Sequence, residues 1–233
     1  MKGRIVGYLV ALAAACGSLL GCDQQKTTEA ITEATSGTVA LDSTETLPVS
    51  RTPGVYSPIA FKLKDNSQFF LPRLKTTADS ALKIAAAVYN SQEFKDSLAS
   101  YSFRCKSFGR RCAQQCDDCE NGRFNIQTVF DSLYRQANVG LTLQLEQNGS
   151  GFGSTSADSY LISSNYTGVF DDHTMPFCYH YAVHICHEYM HNVGYFHFVK
   201  PKRRVAKDDV AEEVGLIAYN ILRRWSAAGI KPF

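Results

Sequence analysis

The histidines of this 233-residue chain are gathered in one segment, and their spacing dictates a helix that ends in a sharp turn. All six lie between residues 173 and 197, and the central string, which starts at His187, reads HEYMHNVGYFH. His187 and His191 are four residues apart, so on a helix their side chains project from one face, one turn above the other. Gly194 permits the positive φ that ends a helix abruptly, and the chain can then fold back to bring His197 to the same face.

This spacing places three imidazoles around a single metal ion. His187 and His191 can reach one ion from adjacent turns, and His197 would supply a third nitrogen. Glu188 lies about 100° around the helix from His187, too far to be a third ligand but well placed to hold a water molecule. Three neutral nitrogens with an open position suit Zn²⁺. HExxH alone also occurs by chance in helices with unrelated histidines, whereas the added glycine and third histidine favour a metal site.

The string resembles the extended zinc motif of the metzincin metalloproteases, HExxHxxGxxH. The order helix, strand, strand, motif helix, C-terminal helix is also similar to the zincin fold of that group. Metzincins have a methionine turn downstream, beneath the zinc, and no methionine follows Met190 in this chain. This departure indicates a divergent member or a neighbouring zincin family. By position, the resemblance implies Gly194 as the turn, Glu188 as the general base, and zinc ligands at His187, His191 and His197.

Two further histidines fall on the same helical stripe as the motif. His180 and His184 precede His187 by seven and three residues, so they could line the cleft or contact the ligands. The alternative for each is a packed or hydrogen-bonded histidine without a role in the site. His173 is predicted to lie in a loop near the start of the helix.

The N-terminus has the pattern of an export signal with a lipid attachment site. Lys2 and Arg4 are followed by an apolar run, residues 5–20, that is too short and too abruptly ended for a membrane span. The string Leu-Leu-Gly-Cys that follows resembles the bacterial lipobox. This resemblance implies that residues 1–21 are removed and that Cys22 is lipidated, anchoring the protein in a membrane. The alternative is an ordinary signal peptide with a chance cysteine.

Composition separates a tether from a folded domain. Residues 22–54 are rich in Thr, Ser, Glu and Gln and contain no aromatic residue, so we predict a flexible tether. Aromatic residues return from Tyr56, and we expect one folded domain over residues 55–233. The chain has 24 basic and 22 acidic residues, and two of the basic ones are Lys2 and Arg4 of the leader. The remainder is neutral, which argues against a nucleic-acid partner.

The domain is predicted to be α+β and zincin-like, with a small mixed sheet, a long zinc-binding helix and a C-terminal helix. Leu141, Leu143 and Leu145 alternate with polar residues, as in a half-buried strand, and residues 159–163 form a second strand. Residues 148–156 between them are rich in Gly and Ser and indicate a mobile loop. Helices and strands are grouped rather than strictly alternating, which favours this class. Helices are predicted at about 81–89, 90–98, 125–137, 176–193 and 209–225.

Six cysteines remain once Cys16 in the leader and the lipidated Cys22 are set aside. In an oxidising envelope they are expected to form three disulfides. Cys178 and Cys186 are about 12 Å apart along the predicted helix, beyond the roughly 7 Å reach of a disulfide. Both are therefore expected to bond to the group at residues 105–119. The alternative for that group is a second zinc site, formed by Cys105, Cys112, Cys116 and Cys119.

Together these features predict a membrane-tethered zinc endopeptidase that cleaves peptide or protein substrates in the bacterial cell envelope, facing the periplasm or the exterior. Residues 159–163 are either the edge strand against which an extended substrate pairs or an ordinary strand of the sheet. The alternative function is a non-catalytic, zinc-stabilised lipoprotein that acts as a binding or structural module. Glu188 argues against it, because three histidines alone would hold a structural ion and structural zinc usually has four protein ligands.

Overall fold

The computed structural model describes most of the predicted domain, over residues 55–103, 119–120, 123–149, 152–169, 174–197 and 209–232. At residues 119, 120 and 124 it describes the backbone alone. Outside the described residues lie the predicted leader and tether, the lipidation site Cys22, His173, and the cysteines Cys105, Cys112 and Cys116. No helix in the described part is long and apolar enough to cross a membrane.

Seven strands and six helices occur in the described residues. The strands are β1 (Ala60–Leu63), β2 (Gln68–Phe69), β3 (Cys119–Glu120), β4 (Arg123–Phe124), β5 (Asn138–Glu146), β6 (Gly153–Thr155) and β7 (Leu161–Asn165). The helices are α1 (Leu74–Asn90), α2 (Gln92–Ala99), α3 (Ile126–Leu133), α4 (Tyr166–Val169), α5 (Phe177–Asn192) and α6 (Val210–Ala227). The fold therefore mixes helices with a small sheet, as predicted. The helix α3 ends earlier than the predicted 125–137.

β5 is the centre of a five-stranded mixed sheet. It pairs in parallel with β1 and β2 on one side and with β7 on the other, and β6 completes the sheet antiparallel to β7. The leucines of β5 alternate as predicted, and Leu141, Leu143 and Leu145 are all buried. Because side chains in a strand alternate between faces, these three project from one face into the core. The strands β3 and β4 form a separate antiparallel pair.

Of the two alternatives for residues 159–163, the ordinary strand is the one observed and the edge strand is not. β7 lies inside the sheet, and β6 is its outer neighbour among the described residues. β6 falls within the predicted loop at residues 148–156. A Cβ atom at Gly153 would collide with the carbonyl oxygen of Ser163 on β7. Gly153, which indicated a loop in the sequence, therefore allows β6 to approach β7 closely because it has no side chain.

Two helices pack against each other and against the sheet to form the core. α1 packs against α5, and three alanines of α1, Ala78, Ala81 and Ala85, are fully buried. Tyr89 at the end of α1 donates a hydrogen bond of 2.7 Å from its hydroxyl to the carbonyl oxygen of Cys186 in α5. This contact is buried and ties the two helices together, so α5 has a fixed place on the core.

The prediction that both helix cysteines form disulfides is half right. Cys178 is disulfide-bonded, as expected. Cys186 is free and fully buried, and burial raises the pKa of its thiol well above the usual range. Its position on α5 points its side chain into the core rather than toward the surface. The predicted total of three disulfides is therefore wrong, since one of the six cysteines is used in packing.

Candidate metal centre

The long helix α5 carries the motif and ends where the sequence predicts. Pro176 occupies the N-terminal cap position, and the helix runs to Asn192. Gly194 has a φ of 106°, the positive value that its place in the motif requires. The amide of Gly194 donates to the carbonyl oxygen of His191 at 3.0 Å, and that of Tyr195 donates to Met190 at 2.9 Å. This turn reverses the chain toward the face that carries His191.

The three predicted ligands meet at one point. One ring nitrogen from each of His187, His191 and His197 lies within 4.8 Å of the other two. The Nε2 atom of His197 is 3.2 Å from Nε2 of His187 and 3.1 Å from Nε2 of His191. These three side chains could hold one metal ion.

Two of the three rings make a hydrogen bond through the nitrogen that faces away from the triad. These bonds decide which nitrogen is left to bind a cation. Nδ1 of His191 donates to the carbonyl oxygen of Tyr195, and Nδ1 of His197 donates to Oδ2 of Asp209 at 3.1 Å. A carbonyl and a carboxylate can only accept, so each Nδ1 carries the proton and each neutral ring presents a bare Nε2. Two facing lone pairs about 3 Å apart repel each other unless a proton or a metal ion lies between them. The donor set fits a metal ion.

Asp209 is a site residue that the sequence analysis missed. It is buried and caps α6, where its Oδ1 accepts from the amides of Ala211 and Glu212 at 3.0 and 3.2 Å. Its second oxygen holds His197. The available signal was an acidic N-cap followed three residues later by a glutamate, which marks the start of a helix. That signal gives no hint of a partner twelve residues earlier.

His187, the first histidine of the triad, packs against a glycine of the last helix. A Cβ atom at Gly215 of α6 would lie 3.3 Å from Nδ1 and 3.4 Å from Cβ of His187. These distances are tighter than ordinary contacts, so a larger residue would push His187. Among the described residues downstream of the motif, α6 thus supplies the support for the site through Gly215 and Asp209.

The electrostatic surroundings favour the metal-binding form of two ligands. Burial lowers the pKa of His187 from 6.5 to about 3 and also lowers the pKa of His191. Both rings are therefore neutral at pH 7, as ligation requires. The hydrogen bond to Asp209 raises the pKa of His197, so a proton on this residue competes with a metal ion.

Glu188 lies beside the triad as a buried carboxyl group. Burial raises its pKa to about 7, and this shift is opposed by the nearby His197. Oε1 of Glu188 lies 3.8 Å from Nδ1 of His184, and Oε2 has no hydrogen-bond partner among the described residues. A carboxyl group with a pKa near 7 can both take up and release a proton at neutral pH. This is the chemical capacity that the motif predicts for Glu188.

The two other histidines of the stripe have different surroundings. His180 is buried beside Tyr219 of α6, with ring centroids 6.5 Å apart, so it does not reach the triad. His184 is buried next to Glu188. Of the two predicted alternatives, His180 therefore fits a packed histidine, whereas His184 lies next to Glu188 of the motif.

Asn192, at the end of α5, holds the turn between β6 and β7 and was also missed by the sequence analysis. It is fully buried, and its Oδ1 accepts from the amide of Tyr160 at 2.8 Å. The same oxygen lies 3.3 Å from the hydroxyl groups of Thr155 and Ser159. Tyr160 has a φ of 51°, which costs energy in a bulky residue and is held here by this contact. The outer strand of the sheet is thus fixed relative to the metal centre.

The candidate metal site is supported by its own geometry and not by similarity to a known protein. No protein-family model, no curated protein and no solved structure matches this chain. The grouping of His187, His191 and His197 around one possible metal position is nevertheless confirmed, and their turn at Gly194 with it.

Proposed function

We propose that this chain is a zinc-dependent endopeptidase with a zincin-like fold. The observation that carries the proposal is the convergence of three imidazole nitrogens next to the buried carboxyl group of Glu188. His187, His191 and His197 would hold the ion. Zinc bound by three imidazoles supplies a Lewis acid and lowers the pKa of a water molecule.

Glu188 acts as the general base in this proposal. Its carboxylate accepts a proton from the water that attacks the scissile carbonyl and passes that proton to the leaving amine. The burial that raises its pKa to about 7 supports the second step, because a carboxyl group of ordinary pKa holds a proton poorly at neutral pH.

An extended peptide is the substrate class that the surroundings of the triad favour. β6 is the outer strand on its side of the described sheet, and it lies directly against His184 of the motif helix. A strand edge offers backbone N–H and C=O groups that pair with an extended chain. A peptide bound along β6 would therefore lie close to the motif helix.

Hydrolysis of a mixed peptide library by the purified full-length protein tests the proposal. We expect cleavage that stops on treatment with a chelator and returns on addition of Zn²⁺. The His197→Ala variant, which loses one ligand, is expected to have lower zinc content and no activity. Absence of chelator-sensitive cleavage with zinc fully bound would favour the alternative, a zinc-stabilised binding or structural module.

We also propose that Cys22 anchors the protein by a lipid in the cell envelope of a bacterium. The support is the lipobox-like string at the end of the leader and the polar tether that follows. The wild-type protein is expected to fractionate with membranes, and Cys22→Ser is expected to release or mislocalise it. Mass spectrometry that finds an unmodified Cys22 in the mature wild-type protein would contradict this.

A further inference from the structure

His184 is a buried histidine outside the triad that lies beside Glu188. Its Nδ1 atom is 3.8 Å from Oε1 of Glu188, which follows one helical turn later on α5. The side chains are only 8% and 6% exposed. Nε2 of His184 and Oε2 of Glu188 have no hydrogen-bond partner among the described residues. The observed approach of the two side chains is through their other polar atoms, Nδ1 of His184 and Oε1 of Glu188.

The imidazole of His184 is fixed from its opposite edge by the sheet. A Cβ atom at Gly153 of β6 would lie 2.8 Å from Nε2 and 3.0 Å from Cε1 of this ring. The backbone of β6 therefore lies against the Nε2 edge, which leaves Nδ1 on the side of Glu188. The ring of Tyr181 is nearly parallel to that of His184, at 16° and a centroid distance of 6.4 Å. A ring confined in this way is a preorganised partner.

We propose that His184 is a positioning residue for Glu188: its Nδ1–H donates to Oε1 and leaves Oε2 free to accept the proton of the attacking water. This inference rests on the proposed function of Glu188. Because the His184 ring is confined, the separation of 3.8 Å is closed by a small rotation of the Glu188 side chain, and catalytic hydrogen bonds are often long before a substrate is bound.

The protonation of His184 agrees with this role. Burial lowers its pKa from 6.5 to about 4, so the ring is neutral at pH 7 and carries one proton. A neutral imidazole donates from only one nitrogen, and the proposal requires that nitrogen to be Nδ1. A histidine that merely fills space has no such requirement.

The tautomer is the first test and needs no substrate. We would record ¹⁵N NMR spectra of the histidine rings in the zinc-loaded full-length protein and assign the His184 signals with the His184→Asn variant. The proposal predicts an Nδ1–H tautomer whose Nδ1 shift changes in Glu188→Gln. An Nε2–H tautomer would overturn the proposal, and this readout remains decisive even if the wild-type protein hydrolyses no peptide.

The second test uses two variants that differ in the hydrogen bond. In His184→Leu, which fills the space without a donor, we expect kcat to fall by about 10–100-fold, with KM and zinc content close to wild type. In His184→Asn, whose amide can donate from near the Nδ1 position, we expect most of kcat to return. Equal kcat in wild type and His184→Leu would overturn the proposal, as would equal losses in the two variants. If either variant fails to fold or to bind zinc, the tautomer in the wild-type protein decides.

Discussion

The carboxylate of Asp209 joins the third histidine of the triad, His197, to the start of the last helix. Oδ2 of Asp209 accepts a hydrogen bond of 3.1 Å from Nδ1 of His197, while Oδ1 accepts from two amides of the first turn of α6. The partial positive charge at a helix N-terminus stabilises the ionised carboxylate. One buried side chain therefore caps a helix and orients a candidate ligand, so a metal ion held by the triad would be coupled to the start of α6.

Replacing Asp209 separates these two roles. Asn is as good an N-cap as Asp, so Asp209→Asn is expected to keep the stability of the metal-free protein close to wild type. It loses the charge beside His197, and we expect zinc affinity to fall by about 10–100-fold. Asp209→Ala is expected to lose in addition about 1 kcal/mol of stability. Competition with a chromophoric chelator measures the affinity, and an unchanged value in Asp209→Asn would mean that the hydrogen bond to His197 does not matter for binding.

Gly215→Ala is expected to affect the helix and the metal site in opposite directions. Alanine favours a helix over glycine by about 1 kcal/mol, so the metal-free protein is expected to be at least as stable as wild type. The new Cβ atom would lie 3.3 Å from Nδ1 of His187 and displace the ring by a few tenths of an ångström. We therefore expect weaker zinc binding. Leu216→Ala, at the exposed neighbouring position, is the matched control and is expected to bind zinc as wild type does.

The buried imidazole of His184 predicts acid sensitivity of the metal-free protein. Its pKa in the folded state is about 4, below the usual 6.5, because burial disfavours the charged form. The unfolded chain thus binds a proton that the folded chain does not, and the associated stability is full above pH 6.5 and is lost as pH falls toward 4. The chelated wild-type protein is expected to lose thermal stability relative to His184→Leu between pH 7 and pH 4.5. Parallel melting temperatures over this range would contradict the buried, neutral state of His184.

Local periodicity was sufficient to predict the grouping of the three histidines and the turn between them. His187 and His191 share a helix face because of their spacing alone, and Gly194 reverses the chain because of its own backbone freedom. The leucines of β5 were likewise predictable from alternation. Each of these features depends on residues that are neighbours in the chain.

Contacts between distant segments could not be predicted in this way. Asp209 signals only a helix start, and its contact with His197 depends on how α6 packs. Gly153 signals a loop, yet its missing side chain lets β6 pair with β7 and lie against the motif helix. Cys186 was expected in a disulfide. It is instead a free thiol buried in the core, and this depends on how α5 packs on α1.

Replacing Glu188 by Gln shows whether this residue is the base of a metal-dependent hydrolysis. Gln is nearly isosteric but cannot accept the proton at neutral pH, and Glu188 is not one of the three proposed ligands. The matched control is Glu212→Gln, which removes a more exposed carboxylate that lies 3.8 Å from Nδ1 of His197.

The decisive measurement is kcat/KM on a cleaved peptide, with zinc content determined in the same samples. At equal zinc content we expect Glu188→Gln to lose about 10²–10⁴-fold and Glu212→Gln to stay within a few-fold of wild type. A Glu188→Gln variant with full zinc and a rate within a few-fold of wild type would mean that Glu188 is not the general base.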